Sequence, residues 1–180
     1  MIAAGGETPN DQRARGHRAN SAAILVVSGE TLTFGELEQR SCQLARLFRD
    51  NGLKAGDRVT ILMESRLEWF IAMWAAWRSA LFFVPVNWHP KPAEARYVVA
   101  NSDARAIITS ERLIDLAAQI ADGYEPVPLC LTTGPAERGF VSLQTAITGY
   151  PGTPLEDERE GGSMPYSPAP RASRRAYCAP

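Results

Sequence analysis

Few side chains in this sequence combine the residue types and spacing that catalysis or metal binding requires. The two histidines, His17 and His89, share no motif with each other or with a cysteine. Catalytic and metal sites are built from clusters of such groups, so a plain loop position is the favoured interpretation of His89. No Ser/His/Asp arrangement is apparent. We therefore predict no catalytic residue and no metal site in the first 160 residues.

Two other groups of residues have both a functional and a structural interpretation. The tryptophans could line an aromatic pocket, but Trp69, Trp74 and Trp77 fall on one apolar segment, with Trp88 further on, and core packing is favoured for such a segment. The acidic run from Glu156 to Glu160 could bind a metal. Adjacent carboxylates in a polar stretch usually face water, and we predict that these do.

Composition narrows the class of protein. The 180 residues are 45% hydrophobic, and 19 basic against 20 acidic side chains give a net charge of -1, which argues against a nucleic-acid partner. Cys42, Cys130 and Cys178 are far apart and form no CxxC pair, so we expect a reduced, cytoplasmic protein without disulfides. The first 20 residues lack the pattern of a secretion signal and are predicted to be flexible.

One segment has the length of a membrane span. Residues 67–86 are strongly apolar, but Glu68 and Arg78 interrupt them and Pro85 lies near their end. Charges are rare inside membrane spans. A buried helix followed by a buried strand is therefore predicted, with no transmembrane segment.

Residues 23–50 predict a small hairpin and an amphipathic helix. The apolar run AILVV and the stretch Thr31 to Thr33 flank a glycine turn, as expected for two short paired strands. Thr33 and Glu36 have the spacing of a capping box, in which each side chain bonds the other residue's backbone N–H. Apolar side chains follow at helical spacing.

Strands and helices then alternate with short connections. Ser65 and Glu68 resemble a second capping box, which predicts a helix from Arg66 to Ala80 that is apolar nearly all round and hence sandwiched. Further strands are predicted at 59–63, 81–86, 105–109 and 127–131, and helices at 92–100 and 111–121. This alternation is typical of an α/β fold whose parallel sheet is covered on both faces.

The pattern loosens after Thr132. Residues 141–148 predict a short helix, and Pro151 to Gly162 predict a solvated linker. The chain is thus divided into a flexible N-terminus (1–20), a partial α/β domain (21–150), a linker together with the five residues after it (151–167) and a C-terminal tail (168–180).

Several segments form an ordered set. They are GETLTFGELEQRSCQLARLFRDNGLKAGDRVTILMESRLEWFIAMWAAWRSALFFVPVN and AEARYVVANSDARAIIT. Their T-F-x-E-L helix start, G-L-x-x-G-D-x-V turn, strand ending P-V-N and Glu94 resemble the N-terminal part of the acyl-CoA synthetases, within the adenylate-forming AMP-binding enzymes. The resemblance is good from about Ile24 to Thr109 and looser to Gly162. It implies the partial parallel-sheet N-terminal domain of such an enzyme.

In the family that this chain resembles, such a linker leads into a phosphate loop of the form Y-[ST]-S-G-T-T-G-x-P-K-G. Backbone N–H groups and hydroxyls of that loop hold the ATP phosphates. GGSMPYS, residues 161–167, is similar to the lead-in, so Tyr166 and Ser167 are the predicted remnant of the nucleotide site. Pro168 stands where the loop should continue.

A shifted reading frame would account for the tail after Ser167. If reading starts at the third base of each original codon, each pair of neighbouring residues restricts one codon of the shifted frame. The pair Ser-Pro permits Ser, Pro-Ala permits Gly, and both Ala-Pro and Pro-Arg permit Thr. Continued to the end, the shifted frame permits S-G-T-T-G-x-P-K-G-V-L-R. Each pair allows only a handful of amino acids, so chance agreement is improbable. The other interpretation is a native Pro/Arg/Ala tail, and both interpretations predict disorder for 168–180.

The resemblance implies a parent enzyme that uses ATP, Mg²⁺ and coenzyme A to convert a small carboxylic or fatty acid to its acyl-CoA. The chain itself is expected to be inactive and to bind none of these cofactors. Two alternatives stay open: a small non-catalytic α/β binding module, or part of an aryl-CoA ligase, an acyl-AMP ligase or a peptide-synthetase adenylation domain.

Overall fold

The computed structural model describes residues 23–25, 29–87, 89, 92–122 and 127–165. The predictions of a flexible N-terminus and a disordered tail lie outside these residues, as do His17, Trp88 and Cys178.

Within the described ranges the chain forms eight strands, five α-helices and one 3₁₀ turn. The strands are β1 (Ala23–Leu25), β2 (Thr31–Thr33), β3 (Arg58–Leu62), β4 (Phe82–Val86), β5 (Ala104–Thr109), β6 (Leu129–Thr132), β7 (Val141–Ser142) and β8 (Gly162–Ser163). The helices are α1 (Phe34–Asp50), α2 (Leu67–Arg78), α3 (Pro92–Ser102), α4 (Ile114–Ala121) and α5 (Leu143–Ile147), with the 3₁₀ turn at Glu111–Leu113.

Six strands form one parallel sheet in the order β7-β6-β5-β3-β4-β8. Each neighbouring pair is parallel, with Val59 of β3 opposite Phe83 of β4 on one side and Ala106 of β5 on the other. β1 and β2 form a separate antiparallel pair. The predicted hairpin and the predicted parallel α/β sheet are both confirmed.

The sheet separates two apolar cores. Successive residues of a strand point to opposite faces, so Ile61 contributes to one core and Leu62 to the other. The first core is completed by α1, α2 and α5, and the second by α3 and α4. Both faces of the sheet are therefore covered, as its apolar strands require.

The capping box at the start of α1 is confirmed. The amide of Glu36 donates to Thr33 Oγ1 at 3.2 Å, and the amide of Thr33 donates to Glu36 Oε2 at 2.8 Å. These bonds satisfy two of the backbone donors that every helix start leaves unpaired. The apolar stripe of the helix is buried and includes Leu37, Leu44 and Phe48.

The second predicted capping box is wrong. Arg66 occupies the N-cap of α2, which has no side-chain cap bond. Glu68 Oε2 accepts a hydrogen bond from Arg66 Nε at 3.3 Å instead, because a guanidinium is a stronger partner for a carboxylate than a backbone amide is.

The sandwiched character of α2 is confirmed, since each of its residues is buried or half-buried. Trp69, Trp74 and Trp77 pack against the first core, as predicted. No helix among the described residues combines the length and apolarity needed to cross a membrane.

Two predicted helices begin differently from the sequence-based expectation. The segment 111–121 starts with the 3₁₀ turn and becomes α-helical only at Ile114. Residues 141 and 142 form β7 beside β6, so the short helix begins at Leu143. Val141 and Ser142 thus extend the sheet rather than the helix.

The predicted solvated linker is correct for its exposed residues and wrong for those that pack against the rest of the chain. Residues 150–165, called the closing segment below, first run along α1 and end with β8 paired to β4. Leu155, Glu158 and Met164 are largely removed from solvent, while Glu156 and Asp157 are exposed. The acidic run therefore has one side chain facing inward, because Glu158 meets a buried cation there.

Gly161 lies at a tightly packed position of the closing segment. A Cβ at this position would overlap the carbonyl oxygen of Leu81, and backbone cannot move aside cheaply. We expect Gly161→Ala to lower the free energy of unfolding by about 1–3 kcal/mol, measured by urea denaturation. Gly149→Ala is the matched control, since nothing lies within 4 Å of its Cβ position. Equal effects of the two substitutions would contradict the packing.

Candidate functional site

The topology of the sheet singles out one place for a ligand. From β3 the chain moves to β4 on one side, and it then returns across β3 to β5 on the other. The connecting helices α2 and α3 lie on opposite faces, as the two cores show. In open α/β sheets a crevice forms outside the carboxyl ends of the strands at such a switch point. Here it lies beyond β3 and β5.

Polar side chains follow both of these strands directly. Ser110 Oγ donates to Glu64 Oε2 at 2.7 Å, and Thr109 Oγ1 donates to the carbonyl oxygen of Leu62 at 2.9 Å. Arg66 lies between two carboxylates, with Nη1 at 3.5 Å from Glu64 Oε1 and Nε at 3.3 Å from Glu68 Oε2. The ends of β3 and β5 are thus tied together by a charged network.

This network holds Glu64 in its ionised form. Partial burial alone would raise the pKa of the carboxyl, but the hydrogen bonds from Ser110 and from its own backbone, with the charge of Arg66, outweigh burial and lower the pKa below its ordinary value of 4.5. Burial likewise opposes the charge of Arg66, and the neighbouring carboxylates of Glu68 and Glu64 outweigh it, so the pKa of Arg66 is raised.

An apolar cavity of about 290 Å³ lies beside the network, at the carboxyl ends of β3 and β4. It is lined by Met63, Ser65, Trp69, Phe70 and Val86. The Trp69 ring stands edge-on to Phe70, with 5.4 Å between the ring centroids. Two packed aromatic rings thus form part of the cavity wall.

One of the two histidines considered in the sequence lies near this edge. His89 is exposed in the loop after β4, and its backbone amide donates to Asn87 Oδ1 at 3.0 Å. Tyr166 and Ser167, the predicted remnant of a nucleotide site, lie outside the described residues. Their proposed role stays a prediction.

The sequence interpretation missed Glu64 and Ser110. Each is a polar residue directly after a strongly apolar strand, VTILM and RAIIT respectively. In a parallel sheet the residues after neighbouring strands meet at one edge, so this signal could have been found.

Charged side chains of both signs lie at this edge. Carboxylates lie there at Glu64, Glu68 and Glu111, Arg112 follows Glu111, and the guanidinium of Arg66 is shared between two of the carboxylates. Phosphate binding needs backbone N–H groups and cations directed at the ligand. Arg66 is directed at carboxylates instead.

One group of side chains in the described part of the chain has the composition of a metal site. Ligand atoms of Glu38, Cys42 and Glu158 lie within 4.8 Å of one another. However, Arg78 Nη1 lies 2.6 Å from Glu158 Oε1 and 2.8 Å from Cys42 Sγ, so a guanidinium fills the position of a cation. Burial also raises the pKa of Cys42 to about 11, which keeps the sulfur a neutral thiol and a poor ligand.

Fold and edge together define an α/β protein with a ligand crevice at the carboxyl ends of a parallel sheet. A family model described as AMP-binding enzyme matches residues 11–148, which is most of the chain. The chain belongs to the family of AMP-binding enzymes.

Curated relatives include two kinds of protein. The medium/long-chain-fatty-acid–CoA/3-oxocholest-4-en-26-oate–CoA ligase of Mycolicibacterium smegmatis is 31% identical over 96 residues, which are 53% of this chain and 17% of the relative. Gramicidin S synthase 1 of Brevibacillus brevis is 32% identical over 103 residues, 57% of this chain and 9% of the relative. The chain thus spans less than a fifth of either protein.

The fold recurs in a solved structure of an anthranilate CoA ligase, AuaEII, in complex with anthranoyl-AMP. The TM-score is 0.80 at 22% identity, over 93% of this chain and 33% of the ligase. At this identity the likeness concerns the fold. It confirms that the sheet corresponds to the N-terminal domain of adenylate-forming enzymes.

The Glu64 network predicts a pH-dependent loss of stability. A carboxyl whose folded-state pKa is lowered stabilises the fold above its unfolded pKa, and this stabilisation disappears as the pH falls through the folded value. We expect Glu64→Gln to cost about 1–2 kcal/mol near neutral pH, with the difference from wild type shrinking below the ordinary pKa of 4.5. Urea denaturation over a pH series measures this difference.

Glu111→Gln provides the control, because Glu111 is an exposed carboxylate at the same edge. It should change the free energy of unfolding by less than about 0.5 kcal/mol at any pH. A cost of Glu64→Gln that stays constant from neutral to acid pH would show that its charge is irrelevant.

Proposed function

We propose that this chain is the N-terminal part of an acyl-CoA synthetase. The parent enzyme converts a carboxylic acid, ATP and coenzyme A to acyl-CoA, AMP and pyrophosphate, with Mg²⁺ as the metal ion. A fatty or related acid is the proposed substrate class, because the first relative is named for medium- and long-chain fatty acids and for a steroid acid. A cytoplasmic location is supported by Cys42 and Cys130, which are free thiols.

The observation that carries the proposal is the position of β8. This strand runs parallel to β4, and the amide of Met164 donates to the carbonyl oxygen of Phe83 at 2.9 Å. The sheet therefore directs the chain at Pro165 toward the carboxyl edge, and the sequence continues with Tyr166 and Ser167. Phosphate-binding loops follow parallel strands at this edge.

In this proposal the described residues serve as a scaffold. Glu64, Arg66 and Ser110 tie the carboxyl ends of β3 and β5 together, and the cavity beside Trp69 gives the edge an apolar wall. Arg66 is already paired with two carboxylates, and Pro168 stands where the phosphate loop should continue, so we propose that the 180-residue chain binds neither ATP nor coenzyme A tightly and is inactive.

A second candidate is part of a peptide-synthetase adenylation domain. It is favoured by the similarity to gramicidin S synthase 1, which is as strong as the similarity to the fatty-acid ligase. An adenylation domain would activate an amino acid rather than a fatty acid. A substrate panel containing both classes of acid distinguishes the two candidates in any chain that proves active.

The composition of the tail supports a shifted reading frame after Ser167, because its residues permit S-G-T-T-G-x-P-K-G in the other frame. Sequencing the gene from the Ser167 codon onward in an independent isolate tests this directly. An open shifted frame that continues for several hundred codons supports the parent enzyme. A gene in which neither frame encodes the loop would remove this support.

Adenylation itself is tested by ATP–pyrophosphate exchange. We expect the purified 180-residue chain to give no exchange above the protein-free blank with octanoate, palmitate, benzoate or phenylalanine, since Pro168 stands where the loop that holds the ATP phosphates should continue. Exchange that depends on any of these acids would contradict the proposed inactivity. The acid that supports it would identify the activity class.

A further inference from the structure

We infer that Arg78 is a positioning residue that fastens the closing segment to the sheet and thereby fixes the register of β8 against β4. This fastening rests on hydrogen bonds among the described residues. Its consequence for nucleotide binding rests on the proposed function, since β8 directly precedes the candidate phosphate loop.

Arg78 lies at the last position of α2, and its side chain is only 1% exposed. Its guanidinium donates to Glu38 Oε2 at 2.7 Å and to Glu158 Oε1 at 2.6 Å. The two carboxylates come from α1 and from the closing segment, so a single cation joins three parts of the chain.

The three charges depend on one another because all are removed from water. The carboxylate side chains of Glu38 and Glu158 are 5% and 9% exposed. A buried charge that loses its partner is strongly unfavourable. If Glu158 moved away, Arg78 would keep Glu38 but lose a charge-assisted hydrogen bond, and Glu158 would have to find water.

The backbone after Glu158 is placed by this contact. The amide of Arg159 donates to the carbonyl oxygen of Arg78 at 3.3 Å, and the amide of Gly161 donates to that of Trp77 at 2.7 Å. The amide of Gly162, in β8, then donates to the carbonyl oxygen of Leu81 at 3.1 Å. The end of α2 is therefore the template on which the closing segment enters the sheet.

Other contacts hold the earlier part of the closing segment at the surface. Gln43, Arg46 and Arg49 are spaced by three residues and lie on one side of α1. They donate in chain order to the carbonyl oxygens of Tyr150 at 2.9 Å and Thr153 at 2.7 Å and to the carboxylate of Asp157 at 2.6 Å. The Arg49–Asp157 pair is exposed and contributes little. The Gln43 and Arg46 bonds hold residues before Glu158, which leaves the buried cluster as the fastener next to β8.

β8 needs such a fastener because it is short and lies at an edge. It pairs with β4 over Gly162 and Ser163 only, and a two-residue strand gains few backbone hydrogen bonds of its own. If the closing segment detached, the chain that follows Pro165 would no longer be directed along β4. Arg78 would then affect a nucleotide site without touching it.

Hydrogen–deuterium exchange of the 180-residue chain tests the inference. In Glu158→Gln we expect the amides of residues 161–164 to exchange about tenfold faster or more, while the protection of β3 and β5 stays unchanged, because a local opening raises exchange only where it occurs. Arg78→Met should give the same local pattern. Asp157→Asn is the matched control: it removes a neighbouring exposed carboxylate and should change these rates less than about twofold.

Two results would overturn the inference. Unchanged protection of residues 161–164 in Glu158→Gln would mean that the ion pair does not hold β8. An equal loss of protection in β3 and β5, or unfolding of both variants, would make the cluster a determinant of the whole fold. The measurement needs no nucleotide, so its failure and a failure of the adenylation proposal are separate outcomes.

Discussion

The buried guanidinium of Arg78 is the constraint on which the closure of this structure depends. It joins α2 to Glu38, 40 positions earlier in α1, and to Glu158, 80 positions later in the closing segment. Buried ion pairs often add little net stability, because desolvation offsets their attraction. Their better-attested effect is to select one arrangement over others, and here the arrangement selected is the register of the last strand.

That register matters because ligands of open α/β folds bind at the carboxyl edge of the parallel sheet. Its carboxyl edge carries the Glu64–Ser110 bond, the guanidinium of Arg66 and an apolar cavity. Arg66 lies at the start of α2 and Arg78 at its end. One twelve-residue helix thus joins the fastener at one end of the sheet to the candidate site at the other.

The elements could be predicted from the sequence because their signals are local. The capping box of α1, the alternation of apolar strands and helices, and the turn at Gly56, with φ 90°, each involve a few adjacent residues. The Glu158 contact has no such signal, since an acidic run looks the same whether one of its side chains faces water or a cation 80 positions away. Ser65 and Glu68 have the spacing of a capping box, but no such box forms. Glu68 accepts a hydrogen bond from Arg66 instead, which is the stronger partner.

The candidate site was harder to predict than the fold for the same physical reason. A parallel sheet is specified by repeated apolar burial, and losing one signal leaves the others intact. A phosphate site depends on a few backbone N–H groups and cations directed at one point, and short residue patterns do not specify that geometry. Family membership therefore establishes the scaffold, while nucleotide chemistry depends on the residues that follow β8 and on how they meet the Glu64–Arg66–Glu68 network at this edge.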